Sequence, residues 1–126
     1  MNNTNIKFLK SHEWVKIEEN CTAKIGISDH AQALLGDIVY VELPKIGKKI
    51  QLGTSIGVIE SVKAASDLYS PVNGEIIAIN ESVINDPAII NSSPQNDGWL
   101  LQVKLDNPEE LNELMDVTAY QNNIHS

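Results

Sequence analysis

The feature that most constrains the fold is a series of short segments rich in β-branched residues, each ended by glycine, proline or asparagine. Alternating apolar and polar residues are typical of strands with one buried face. Many short strands separated by turns indicate a mainly β sandwich or barrel. Strands are predicted at residues 15–18, 23–27, 38–43, 56–61, 67–70, 75–79 and 99–105.

Helix signals are few. Ser28 or Asp29 can cap a short helix that ends at Gly36, where glycine favours a left-handed stop. A second helix is predicted to start at 107–110, where Asn precedes Pro and two acids, with a Leu and Met packing face behind it. A last turn or two is predicted from 118 to 124.

Two stretches resemble each other. A strand from Asp37 leads to Pro44-x-x-Gly47, and a strand from Asp67 leads to Pro71-x-x-Gly74. The two gaps differ, so the spacing does not establish a repeat. The pattern fits two similar hairpins packed face to face, and a chance similarity is the alternative.

The length fits a single domain spanning residues 1–126, with 42% hydrophobic residues and a net charge of −8. This charge argues against binding to nucleic acid or to an anionic membrane surface, both of which need basic patches. All nine basic residues are lysines, so no bidentate guanidinium clamp is available.

Targeting and metal signals are missing. A single cysteine, Cys21, excludes an internal disulfide and favours a cytosol-like compartment. No apolar run approaches a membrane span, and Met1–Asn5 does not begin a secretory signal. We therefore expect a bacterial cytoplasmic protein rather than a mature mitochondrial chain. The histidines lack metal-ligand spacing and are expected to be satisfied or solvated: His12, His30 and His125.

Signatures of catalysis by the chain's own side chains are also missing. The sequence has no Gly-x-Ser-x-Gly elbow, phosphate loop or His-Glu-x-x-His, and no carboxylate pair stands out. An enzyme is therefore disfavoured.

Lys63 is the candidate functional residue. Two β-type arms flank residues 62–64, which predicts that Lys63 lies at a hairpin tip with small neighbours, Ala64 to Ser66. An exposed amine on a rigid tip suits enzymatic modification. The alternative, one more solvated lysine among nine, stays open on chemistry alone.

The residues around Lys63 are also similar to a known family. They read Glu60-Ser61-Val62-Lys63-Ala64, then Ser66-Asp67, then Ser70-Pro71-Val72-x-Gly74-Glu75. This segment resembles the lipoyl-attachment region of the glycine cleavage system H protein family. Further stretches resemble the same family at residues 11–15, 25–32, 35–44, 91–94 and 98–99. The resemblance covers about residues 7–120.

The resemblance implies that Lys63 carries lipoate through an amide bond, as N6-lipoyllysine. It implies the barrel-sandwich hybrid fold of lipoyl and biotinyl carriers, with a short helix in the N-terminal half and helices at the C-terminus. The protein would be a carrier without catalysis of its own. We expect a monomer, because a carrier that visits several enzymes in turn should bind each weakly.

The same resemblance implies the partners. A pyridoxal-phosphate glycine decarboxylase (P protein) would load the arm with an aminomethyl group, and a tetrahydrofolate-dependent aminomethyltransferase (T protein) would unload it. Dihydrolipoyl dehydrogenase (L protein) would take the electrons. A lipoyl or octanoyl transferase, or a lipoate ligase, would attach the cofactor. A role as lipoyl donor to other complexes stays open.

The resemblance also points to Ser11, Glu13 and Asp67 as the lining of a cleft for the loaded arm. Excluding water there would slow hydrolysis of the carried amine, and a carboxylate would favour the cationic form of that amine. The alternative is that Ser66 and Asp67 only fix the turn and that Glu13 is a solvated edge residue.

Three further positions bear on packing. Trp14 and Trp99 match positions of the family and are expected to be packing anchors. Gln95 stands where the family usually has an aromatic residue, which puts local packing or a partner contact in question.

Two alternatives to this interpretation stay open. The first is a lipoyl or biotinyl domain of another system, but biotin carriers usually place Met on both sides of the lysine, where this chain has Val62 and Ala64. Acyltransferase lipoyl domains lack the signature at residues 11–14. The second is an unmodified interaction module that uses its acidic surface.

Overall fold

The computed structural model describes residues 6–124, so the expectations for Met1–Asn5 and His125 lie outside the described residues. Nine strands occur in this part of the chain: β1 Ile6–Phe8, β2 Glu13–Glu18, β3 Thr22–Ile27, β4 Ile38–Glu42, β5 Lys49–Ile50, β6 Ser55–Ser61, β7 Ala65–Tyr69, β8 Gly74–Ile79 and β9 Leu101–Leu105. The helices are α1 Asp29–Leu35, α2 Glu81–Asn85, α3 Ala88–Ser92, a 3₁₀ helix Pro108–Glu113 and α4 Val117–Ile124.

The strands form two antiparallel sheets. The larger sheet has the order β1-β2-β3-β9-β8-β5, and the smaller has the order β4-β6-β7. Apolar side chains of both sheets share one buried cluster, which includes Val15, Ile25, Ile59, Leu68 and Ile76. The predicted mainly β architecture with few, short helices is confirmed, and the described strands form two sheets rather than a closed barrel.

Local capping explains α1. The Ser28 side chain accepts a hydrogen bond from the Ala31 amide at 3.1 Å, and Gly36 follows the helix with φ of +81°. A side chain at that φ would be strained, which is why glycine stands there. The predicted start and stop are both confirmed.

The C-terminal helix α4 packs beside β1. Asn107 caps the helix that follows it, as predicted, but this helix is of the 3₁₀ type and ends at Glu113. Met115 then pairs with Phe8 in an isolated bridge, and the ring of Tyr120 on α4 stacks on Phe8 with centroids 4.2 Å apart. The predicted last turns at 118–124 are confirmed as part of α4.

Four elements were not predicted. β1 and β5 contain three and two residues, too few for a period to be visible. α2 begins after Asn80, whose side chain accepts a hydrogen bond from the Ser82 amide at 3.1 Å, and α3 follows Pro87. The capping asparagine before α2 was the sequence feature from which that helix could have been predicted.

The two similar stretches are corners between the sheets. β4 and β7 lie on either side of β6 in the smaller sheet, while β5 and β8, which follow the two Pro-x-x-Gly turns, pair with each other in the larger sheet. The prediction of two hairpins is therefore wrong, because among the described strands β4 does not pair with β5, and β7 does not pair with β8. At each of these turns the chain instead passes from the smaller sheet to the larger sheet.

Within residues 6–124, no helix is long and apolar enough to cross a membrane. In the same part of the chain, no group of three or more His, Cys, Asp or Glu side chains is placed to hold a metal ion.

Candidate functional site

The turn between β6 and β7 is fixed by backbone and side-chain hydrogen bonds. The Ser61 amide donates to the Ala64 carbonyl at 2.8 Å, and Ser61 Oγ accepts from the amides of Lys63 and Ala64 at 3.1 and 3.2 Å. The Val62 amide donates to the Asp37 carbonyl at 3.0 Å. The turn is thereby tied to the connection between α1 and β4, and it presents Lys63 in a defined position.

The Lys63 side chain is exposed and lies along the end of α1. Its Nζ donates a hydrogen bond to the Leu34 carbonyl at 3.1 Å. Its stem passes over Gly36, where an added Cβ would lie 3.3 Å from Lys63 Cε. The last carbonyls of a helix have no partner within the helix and carry its negative end, so this contact suits an ammonium.

A cleft of about 120 Å³ opens beside this end of α1. Ser11, Glu13 and Asp67 all line it, so the structure brings these three predicted residues together. Lys63 is not in the lining, but Leu34, whose carbonyl holds its amine, is. The rest of the lining is His12, Ile27, Ala31, Leu35, Ile59 and Ser66.

Glu13 is buried, with a relative exposure of 2%. Its Oε2 accepts a hydrogen bond from the Tyr69 amide at 2.8 Å, and its Oε1 accepts one from Ser11 Oγ. Burial raises the pKa of the Glu13 carboxyl, and these two hydrogen bonds oppose the rise. The alternative that Glu13 is a solvated edge residue is therefore wrong.

Asp67 lies on β7, at the edge of the smaller sheet, and is exposed. Its carboxylate accepts a hydrogen bond of 3.5 Å from the Tyr69 hydroxyl. The turn is held by Ser61, and the hydrogen bonds described for Asp67 and Ser66 do not reach it. Asp67 is thus free to face the cleft.

His12 is a cleft residue that the sequence reasoning missed. Its Nδ1 lies 2.7 Å from the Tyr120 hydroxyl, which lies 2.7 Å from Ser28 Oγ, the cap of α1. Burial lowers the pKa of the His12 imidazole, and the neighbouring imidazole of His30 lowers it further. His12 lies between Ser11 and Glu13 in the sequence, and this position could have indicated that it also lines the cleft. The cleft wall, α1 and α4 are connected through this chain of contacts.

The predicted packing positions also have contacts. Trp14 is buried, its Nε1 donates to the carbonyls of Ile27 and Pro94 at 2.9 and 3.0 Å, and its ring lies where a side chain at Gly26 would be. Trp99 is partly buried against the core, under the ammonium of Lys24.

Gln95, at the position of the usual aromatic residue, accepts a hydrogen bond from the Asp29 amide at 3.2 Å. It thereby contributes to the start of α1, at the opposite end of the helix from Lys63.

The chain matches a known protein family over nearly its whole length. The family model described as "Glycine cleavage H-protein" matches residues 6–126. This chain belongs to the glycine cleavage H-protein family. The match covers the Lys63 turn, the cleft and the C-terminal helices together.

Individual relatives agree with this assignment. This chain is 50% identical over 121 residues to the glycine cleavage system H protein of Saccharophagus degradans, covering 96% of this chain and 93% of the relative. It is 53% identical over 117 residues to that of Aeromonas salmonicida, covering 93% and 91%. The crystal structure of a glycine cleavage system H protein from Mycobacterium marinum superposes with a TM-score of 0.88 at 31% identity, covering 97% of this chain and 98% of that chain.

Proposed function

We propose that this chain is a lipoylated carrier of the glycine cleavage system, with lipoate attached to Lys63. The observation that carries the proposal is the position of Lys63, at the hydrogen-bonded β6–β7 turn, with its amine bound to the carbonyl of Leu34, a residue that lines the cleft of Ser11, Glu13 and Asp67. The family assignment supports it independently.

The residues present suit attachment of lipoate. The Lys63 amine is exposed, and its neighbours Val62 and Ala64 are exposed as well, Val62 at 68%. An attaching enzyme could therefore approach the amine from outside without displacing the core. Lipoate would supply a disulfide that is reduced as it accepts the aminomethyl group of glycine, and the chain itself needs no thiol for this role.

The cleft would protect the carried amine. Leu35 and Ile59 line the cleft with apolar side chains that would limit the access of water, while Glu13 and Asp67 offer carboxylates to a cation. Burial disfavours the charged form of Glu13 and raises the pKa of its carboxyl, and a bound cation would favour that charged form. Glu13 and Asp67 would therefore hold the cargo as an ammonium, and Ser11 would keep Glu13 oriented through its hydrogen bond.

The proposed partners are the enzymes of the same system. Glycine decarboxylase would supply the aminomethyl group, the aminomethyltransferase would remove it, and dihydrolipoyl dehydrogenase would accept the electrons. A lipoyl or octanoyl transferase, or a lipoate ligase, would modify Lys63. The chain would act in the bacterial cytoplasm as a monomer and a single domain over residues 1–126, without catalysis of its own.

Reconstitution with glycine decarboxylase tests this function. Lipoylated protein should support glycine-dependent exchange of labelled carbon dioxide, and Lys63→Arg should abolish it. Lys104→Arg is the matched control, because Lys104 is an exposed lysine on β9 and should leave exchange intact. Equal exchange with Lys63→Arg would refute the proposal.

A further inference from the structure

A five-residue stretch of backbone, residues 34–38, supports the lysine, and we call it the lysine seat. The Leu34 carbonyl accepts a hydrogen bond from Lys63 Nζ at 3.1 Å, and the Asp37 carbonyl accepts one from the Val62 amide at 3.0 Å. Between them, Gly36 lies against the Lys63 stem. The direction of the amine therefore depends on the conformation of the seat.

The seat needs support of its own. It contains the C-terminal end of α1, where carbonyls lack partners within the helix, and Gly36 at φ +81°. Glycine restricts the backbone least of all residues, so contacts from elsewhere must hold this segment in one conformation.

Asn91, on α3, supplies those contacts. Its Nδ2 donates to the Gly36 carbonyl and to Gln32 Oε1, both at 2.9 Å. Its Oδ1 accepts from the Ile38 amide, also at 2.9 Å. The single amide thus bonds the backbone on both sides of Asp37, whose carbonyl binds the Lys63 turn, and it ties that backbone to α1 through Gln32.

We propose that Asn91 is a positioning residue for Lys63, acting through the lysine seat without touching the lysine. Only an amide satisfies the site, because one end must donate to two oxygens while the other accepts from a backbone amide. An aspartate has the same shape but would place a carboxylate oxygen against the Gly36 carbonyl and Gln32 Oε1. The proposal rests on the proposed function only in that it gives the lysine a reason to be positioned.

The test uses the lysine's own reactivity, which requires no lipoate. Wild-type chain, Asn91→Asp and a control, Ser92→Ala, are treated with a limiting amount of acetic anhydride. Peptide mapping then gives the acetylation of Lys63 relative to Lys16 and Lys104 in the same molecules. Ser92 neighbours Asn91 on α3, and its hydroxyl bonds the Ile89 carbonyl, outside the seat.

Asn91→Asp should raise the relative acetylation of Lys63 by about threefold or more, because loss of a hydrogen bond of ordinary strength frees the amine from Leu34. The ratio of Lys16 to Lys104 should not change, and Ser92→Ala should match wild type. With a lipoate ligase, Asn91→Asp should raise the KM for the chain more than it lowers kcat.

Gln32→Ala keeps the test decisive if Asn91→Asp does not fold. It removes one partner of Asn91, and the Lys63 ratio should rise in the same direction by a smaller factor. If Asn91→Asp folds and the acetylation of Lys63 relative to Lys16 and Lys104 is unchanged, the proposal is overturned. If Asn91→Asp does not fold, the same unchanged ratio in Gln32→Ala overturns it. Absence of lipoylation on the wild-type chain would instead count against the proposed function, because the acetylation ratio does not depend on it.

Discussion

The Glu13 carboxylate accepts a hydrogen bond from the Tyr69 backbone amide at 2.8 Å, across 56 residues of sequence. The bond joins β2 of the larger sheet to β7, an edge strand of the smaller sheet. It leaves a buried carboxylate in the wall of the cleft next to Lys63. One side chain therefore links the two sheets and contributes a carboxylate to the cleft.

Stability should depend on pH through Glu13. Burial raises the pKa of folded Glu13 above its ordinary value of 4.5. Between 4.5 and the raised value, the folded chain keeps a proton that the unfolded chain has lost, so the free energy of unfolding falls as pH rises through this window.

Glu13→Gln should remove that pH dependence while still accepting the Tyr69 hydrogen bond. Urea denaturation followed by tryptophan fluorescence, from about pH 4 to about pH 8, measures it, and the two profiles should differ in slope by at most about 1.4 kcal/mol per pH unit. Parallel profiles for wild type and variant would contradict the burial of an ionisable Glu13.

Glu13→Gln should also shorten the lifetime of the carried aminomethyl group. Loss of the carboxylate weakens the hold on the ammonium, and an about tenfold faster release of formaldehyde is expected, because a hydrogen bond to a charged group contributes about 1.5 kcal/mol or more. Glu18→Gln is the control, because Glu18 lies on the same strand outside the cleft. Equal lifetimes for wild type and Glu13→Gln would remove Glu13 from the proposed cleft function.

Tyr120→Phe should destabilise the chain by about 1 to 2 kcal/mol. The change removes the hydroxyl that lies between His12 Nδ1 and Ser28 Oγ, and it leaves the stacking on Phe8 in place. Urea denaturation measures the loss. Tyr40→Phe serves as the control, since Tyr40 is 48% exposed, and it should have little effect. If the two variants had the same free energy of unfolding, the contact between α4 and the cleft wall would not contribute to stability.

Binding of this chain to its proposed partner glycine decarboxylase should weaken as the salt concentration rises. Residues 28–42 and 55–70, which surround the Lys63 turn, contain five carboxylates and only Lys63 as a lysine or arginine: Asp29, Asp37, Glu42, Glu60 and Asp67. Amide formation on Lys63 would remove that one charge. Raising salt from about 0.05 M to about 0.5 M should lower the affinity for glycine decarboxylase, mainly through the association rate. A salt-independent affinity would show that these charges do not guide docking.

The features that depend on contacts between residues close in the sequence could be predicted from the sequence. Ser28 and Gly36 bound α1 through hydrogen bonds within a few residues, and the Lys63 turn lies between two recognisable strands. The 3₁₀ form of the helix after Asn107 was not predicted, because the capping signal marks where a helix begins and not which type follows.

Long-range contacts were beyond that reasoning. The Glu13 carboxylate has a hydrogen-bond partner at Tyr69, 56 residues away, and the support of the lysine seat depends on Asn91, more than fifty residues from Gly36 and Ile38. The two Pro-x-x-Gly turns were misread as hairpins, because a turn sequence does not say which strand lies beside its arms.

The identity of the modified residue is tested most directly by mass spectrometry. The chain is produced in lipoate-replete cells with a lipoate ligase, and both its intact mass and its peptides are measured. One lipoyl increment is expected, located on Lys63 and absent from Lys63→Arg. No increment in the presence of an active ligase, or an increment on another lysine, would contradict it.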